Sequence, residues 1–455
     1  AKGTVAAWCV ILFITVRIVM LQASPPGAEA GEGKLSRSLF EFQVRYMVGA
    51  AALLGDQGDD ALRQYLHDSE SAPPWQQLRV GIVAGELSGP DAALKELRAI
   101  KESSQAGDTQ AGDTATLDVL LRLYRDYSQD KMSAPSVSET ERNQLQAELG
   151  WFGKLALAPP SREGPVRDQV VSAARKTFYG VLAGFVGVGL AGLLGLFVLI
   201  VFLALLFGDG LPEFSRSHGR GGVHAETFAC WLLLFLALNM VGGAWFGSKA
   251  VIPISLFSLV GSLLALAWPV FRGVGWRQLR VDLGWTMGRG LVREMGAGVG
   301  GYAMAIPLVM LSLLLTLILL SVWSDGIEPG GAPVHPAARW LVEASWWQRA
   351  QLMFLACVVA PVLEETMFRG FLYRHVREAT AAMNRWASVL LSALITSVLF
   401  AVLHPQGLLA APGIIAIGLA FAFMREWRES LLPSMLAHAL NNAVIMVALT
   451  ALSAT

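Results

Sequence analysis

The sequence predicts an all-α, polytopic transmembrane helical bundle of about eight to nine spans with an inserted extramembrane α-helical domain. Three observations predict it. The chain of 455 residues is 54% hydrophobic and only 15% charged, too apolar for a soluble protein of that length. Apolar runs long enough to cross a bilayer recur through its C-terminal part. Between the first such run and the rest, the composition turns polar and the periodicity helical. Formal net charge is zero, from 35 basic and 35 acidic residues, so nothing points to a nucleic-acid partner. Cys9, Cys230 and Cys357 all fall in apolar runs without ligand spacing, which speaks against a disulfide framework and a cysteine-ligated zinc.

In chain order, the first apolar run covers 4–21 and is broken only by Arg17; Lys2 precedes it and Ala23-Ser24-Pro25-Pro26 follow. Residues 1–23 read as an N-terminal signal anchor or transmembrane helix, with Arg17 snorkelling. Residues 27–175 form the extramembrane domain, with helices expected at 36–54, 58–68, 90–104, 113–128 and 138–155. Asp59-Asp60 and Pro90-Asp91 mark helix starts. Leu94, Leu97 and Ile100, and Leu117, Leu120, Leu121 and Tyr124, make apolar stripes at helical spacing and belong in a core. The domain has the character of a docking module for a protein partner or a substrate gate.

Residues 178–323 hold the N-terminal transmembrane helices, with spans at 178–207, 227–247, 251–271 and 296–323. Asn239 is expected to hydrogen-bond between helices. The Arg-rich stretch 272–295 is amphipathic and is expected at the interface. Trp323, Trp340, Trp346 and Trp347 suit an aromatic belt. Residues 348–451 form the last segment, with spans at 348–368, 386–404, 407–424 and 431–451. Alternating spans place 272–295, 369–385 and 425–430 on one side, cytoplasmic by their arginines, and the 27–175 domain outside. Arg167, Arg175 and Lys176 run against that orientation.

The last segment carries ionisable residues at membrane depth, where they are costly and rarely kept without a use. Glu364, Glu365 and Arg369 lie on one predicted helix. Adjacent residues point about 100° apart, so the two carboxylates do not face one small site squarely. Glu365 is i,i+4 to Arg369, the favourable order for an ion pair, which leaves Glu364 for another task. Phe400 is i,i+4 to His404 and packs a turn below it. Glu364 and His404 each lie about 20 residues from the turn near 384 and reach one depth if their helices are antiparallel. A carboxylate and an imidazole at one level polarise a water. His438 shares a face with Asn441 and Asn442, and its depth does not fit so neatly. A neutral His and an Asn suit an oxyanion or serve as metal ligand and support. HExxH, GxSG and GxGD motifs are absent. His375, in the Arg-rich stretch, is expected in solvent or among headgroups.

The order EExxxR, FxxxH, HxxxN resembles the CPBP family, which contains type II CAAX prenyl endopeptidases and bacterial relatives linked to bacteriocin self-immunity. The resemblance covers 348–451, under a quarter of the chain. It implies an intramembrane protease acting on a membrane-associated peptide or protein. It further implies that Glu364 and His404 activate the water, that His438 and Asn442 stabilise the oxyanion, and that Glu365, Arg369 and Phe400 support them. The family has been described both as metal-dependent and as metal-free. Zinc on Glu364, His404 and His438 and water alone therefore both stand. A prenylated substrate is implied by only part of the family. The competing expectation is a non-catalytic scaffold or transporter whose helical domain recruits a partner, although no convincing inverted repeat accompanies it.

Overall fold

A computed structural model describes residues 2–22, 34–54, 74–105, 114–131, 135–160, 164–209, 222–247, 250–323, 340–341 and 344–453. Every regular element among them is a helix. They divide into two compact units, one drawn from 1–26, 188–327 and 332–451, the other mainly from 27–187. The chain opens with α1 (Lys2–Gln22), part of the first unit.

The second unit contains α2 (Lys34–Leu54), α3 (Pro74–Ser88), α4 (Pro90–Gln105), α5 (Thr114–Ser128), α6 (Glu139–Leu149) and α7 (Trp151–Ala156). It also takes residues 165–187 of α8 (Pro165–Asp209). One core joins them, with Phe40, Val44 and Val48 at successive turns of α2 and both expected stripes packed in or against it. The expected helix 58–68 lies outside the described residues. The expected helix 138–155 is broken at Gly150, which turns to φ +60° and donates its N–H to Gln146 O to close α6. The Ser138 side chain and Glu141 open α6 with a reciprocal cap. Helix α3 was not expected; it carries Gly81 and Gly85, which permit close packing: a Cβ on Gly85 would lie 2.7 Å from the Tyr124 ring.

Asp126, buried on α5, accepts the Ser136 N–H at 2.7 Å and its hydroxyl at 2.5 Å. These bonds hold its carboxyl below the ordinary carboxylate value. A depressed carboxylate stabilises above its unfolded value, ~4, and that stabilisation is lost as pH falls through the folded value. Asp126→Asn is expected to weaken α5 and α6 by on the order of 1 kcal/mol at pH 7. Hydrogen exchange on the full chain should show the gap closing below about pH 4.

The first unit continues with residues 188–209 of α8, then α9 (Val223–Phe246), α10 (Val251–Phe271), α11 (Trp276–Leu283) and α12 (Leu291–Trp323). It ends with α13 (Trp346–Ala379), α14 (Arg385–Val402), α15 (Ala411–Arg428) and α16 (Leu432–Ser453). Among the described residues nine helices, all of α1 and α8–α16 except α11, are long and apolar enough to cross a membrane. This is an integral membrane protein. The interfacial stretch reduces to α11, since residues 291–295 open α12. Asn239 does bond across helices, to Ser258 Oγ at 3.5 Å. Trp340, Trp346 and Trp347 are exposed. The rest of the 323–347 loop is mostly outside the described residues. Helices α8 and α12 touch closely at Gly195, where a Cβ would lie 2.1 Å from Ala303 O, the small-residue contact by which membrane helices associate.

Helix α13 runs eleven residues past its expected end at 368, to Ala379. Its arginines read as a loop because charge usually means solvent, but they are buried in pairs. Arg374 meets Asp282 at 3.0 Å and Glu378 at 3.1 Å, and Arg377 meets Glu426 at 2.8 Å. His375 is likewise buried, against expectation, and accepts the Trp8 Nε1–H at 3.1 Å. With Arg428 on Glu294 at 2.6 Å, these contacts gather the three Arg-rich stretches at one end of the unit.

Candidate active site

The sequence of α13 disturbs its own helix around the carboxylates. Pro361 has no N–H to give, and the Ala360 N–H reaches back five residues to Leu355 O. A wide turn over Leu355–Val359 results, and a second covers Thr366–Leu372. Such π turns are common at functional sites. The Ala356 carbonyl, left without the Ala360 N–H, accepts Asn442 Nδ2–H from α16 at 2.8 Å. Thr366 is held by Val362 O at 2.6 Å and by the Trp285 indole N–H at 3.0 Å.

Glu364 and Glu365 leave this segment on either side of one imidazole. His438 Nδ1 lies 3.1 Å from Glu365 Oε1, and its Nε2 lies 3.8 Å from Glu364 Oε2. Two side chains about 100° apart on a helix thus still share one group, because a ring with nitrogens on two edges reaches both. Glu365 also makes the expected pair with Arg369, at 3.0 Å, with both side chains fully buried. Arg369 Nη2–H continues to Gly418 O at 3.1 Å, and its Cζ lies 4.3 Å from the Phe400 ring centre.

His404 lies just past the end of α14, with Nε2 3.6 Å from the same Glu364 Oε2. Its Nδ1 contacts Phe400 O at 2.5 Å, so Nδ1 carries the proton and Nε2 offers a lone pair. The Phe400 ring sits 4.1 Å from the His404 ring, as the i,i+4 spacing predicts, and Phe421 stacks on His438 at 5.1 Å. Glu364 Oε2 itself is buried without a hydrogen-bond partner. Separations of 3.6 and 3.8 Å exceed direct bonding distance.

The depth puzzle at His438 resolves in the turn before α16. Leu431 N–H donates to Gly284 O at 2.9 Å, and Glu426 pairs with Arg377. Helix α16 therefore starts level with the α13 arginines, well short of the turn at 380–384. Six residues of α16, about 9 Å, then bring His438 to Glu364.

The structure brings Glu364, His404 and His438 together; no described hydrogen bond ties Asn442 to them, although it shares their cavity. That cavity encloses about 560 Å³, and Ile18, Trp231, Asn239, Gln406 and Met446 also line it. Its lining is largely apolar, so it accepts hydrophobic groups beside the polar cluster. Among the described residues no group of three His, Cys, Asp or Glu side chains takes metal-holding spacing. Glu and two His are zinc-type donors, but this arrangement is not a closed ligand set.

Sequence reasoning missed Gln22. From the end of α1, its Nε2–H donates to His404 O at 2.7 Å and to Val402 O at 3.2 Å. His404 has no helix of its own to fix its backbone, so this clamp substitutes for one. No local pattern signals a contact across 382 residues. Gln22→Leu is expected to lower kcat on the order of tenfold, the worth of about 1.4 kcal/mol, with KM nearly unmoved, as steady-state kinetics would show.

Residues 345–444 match the model of a family described as Rce1-like, type II CAAX prenyl endopeptidase Rce1-like. The match agrees with the resemblance read from the three motifs and contains every residue of the cluster. Helices α1 and α8–α12 and the second unit lie outside it. No curated protein and no solved structure matches the chain.

Proposed function

We propose that this protein is an intramembrane endopeptidase that hydrolyses a peptide bond of a membrane-associated protein with a water held by Glu364 and His404. The observation that carries this reading is the approach of Glu364 Oε2, unpartnered and buried, to the Nε2 atoms of His404 and His438 on the wall of an apolar cavity. The gaps suit a bridging water. Glu364 takes the water's proton as the oxygen attacks the scissile carbonyl, and that proton passes from Glu364 through His404 Nε2 to the leaving amine as the C–N bond breaks. His438, with its Nδ1–H on Glu365, donates to the developing oxyanion only in its protonated form, through Nε2–H, and Asn442 offers its second amide N–H from the same cavity. Arg369 neutralises Glu365, so that Glu364 remains the carboxylate available for chemistry.

We read the arginine-rich stretches as cytoplasmic and the 27–175 domain as extracytoplasmic, a docking module for a partner or a substrate gate. The name of the matched family supplies prenylated C-terminal substrates as one candidate class; the apolar cavity accommodates a lipid-modified or a plain hydrophobic segment. Substrate trapping tests the reading. Membranes expressing Glu364→Gln should accumulate uncut proteins that the native form shortens, by quantitative mass spectrometry of membrane peptides. Identical peptide profiles would favour the scaffold alternative.

A further inference from the structure

A second cavity, of about 430 Å³, lies at the arginine-gathered end between α11, α13 and α15. Unlike the first, its lining is rich in charge: Arg289, Arg369, Arg374, Arg425 and Arg428 line it with Asp282, Glu426 and Glu429. Most of these charges are already matched. Arg374 has Asp282, Glu426 has Arg377, and Arg428 has Glu294.

Among the described residues Arg289 has no ion pair but is exposed; Arg425 is both unpaired and buried. It is only 8% exposed, and its one hydrogen bond runs from Nη2–H to the Asp282 backbone carbonyl at 3.1 Å. Its Nε is buried without a partner. No carboxylate lies within ion-pair distance of it among the described residues. Gly284, at φ +81°, leaves the space the guanidinium fills: a Cβ there would lie 2.8 Å from Arg425 Cζ. A buried guanidinium without a counter-ion is costly to the fold. A planar fork with Nε–H free is the donor set that takes an oxyanion side-on.

We infer that this cavity binds a phosphate group, with Arg425 as its buried ligand. The phosphate belongs to a lipid head or is free in solution. Exposed Arg289 in the lining suits a headgroup. The cavity's polar lining is separate from Glu364, His404 and His438, and the inference does not depend on proteolysis.

The test uses the full chain, delipidated in detergent, and its melting temperature with three probes: inorganic phosphate, phosphatidylglycerol, and diacylglycerol of the same acyl chains. Phosphatidylglycerol should raise the melting temperature by about 3 °C or more, and diacylglycerol should not. A matching rise with inorganic phosphate assigns the site to free phosphate; a rise with the phospholipid alone assigns it to a headgroup. Arg425→Met should lose the response. Arg425→Lys, which keeps the charge without the fork and guards against misfolding of the first variant, should bind the active probe at least about tenfold more weakly. The inference is overturned if neither phosphate-bearing probe exceeds diacylglycerol, or if Arg425→Lys responds like the native protein.

Discussion

Glu364→Gln is expected to remove proteolysis, with kcat falling by about 10³-fold or more, while the protein inserts and folds normally. The substitution keeps size and shape and deletes only the base. General-base catalysis alone is worth about 10²–10⁴-fold, and an amide neither takes the water's proton nor orients it as an acceptor pair. Folding should survive because Glu364 Oε2 makes no direct hydrogen bond in the fold and glutamine keeps the size and shape of the side chain. The neighbouring Glu365→Gln makes the contrast. It leaves Arg369, fully buried, without its counter-ion and gives His438 Nδ1 a neutral amide in place of a carboxylate. It should lose stability as well as activity. Melting curves and cleavage rates measured on the two variants side by side separate the roles.

Arg369→Met should be among the most destabilising single changes in the membrane unit, by about 3–5 kcal/mol. It strands the Glu365 carboxylate in a place with no solvent, frees the Gly418 carbonyl, and removes the guanidinium from between the Phe400 and Phe421 rings. Adding Glu365→Leu should recover most of that loss, because replacing both members of a buried pair with apolar groups is often nearly neutral. Activity should not return, since His438 Nδ1 then has no carboxylate to fix it. Unfolding in mixed detergent micelles gives the stabilities, and cleavage by the same preparations gives the activity.

The membrane spans were legible because an apolar run of eighteen or more residues has few other fates. What misled was charge. Arg374, Arg377 and His375 looked solvated, and instead α13 carries them inward against Asp282, Glu426 and Trp8; pairing of residues far apart in the chain leaves no local trace. The same holds for the glycines of α3, whose purpose is set by Tyr124 and Ala93 on other helices. At the site, spacing alone put Glu364 level with His404 and paired Glu365 with Arg369. It did not foresee that His438 touches both carboxylates, because that depends on where α16 begins. Nor did it foresee that Asn442 is tied to Ala356, a carbonyl freed only by a π turn. Gln22 was beyond reach for the reason of distance along the chain.

The most direct test is an experimental map of the protein in lipid at a resolution that shows ordered water. The account predicts one solvent molecule within about 3.2 Å of Glu364 Oε2, His404 Nε2 and His438 Nε2, open to the apolar cavity. A dry cluster with no room for that oxygen, or any of the three side chains turned out toward lipid, would contradict it.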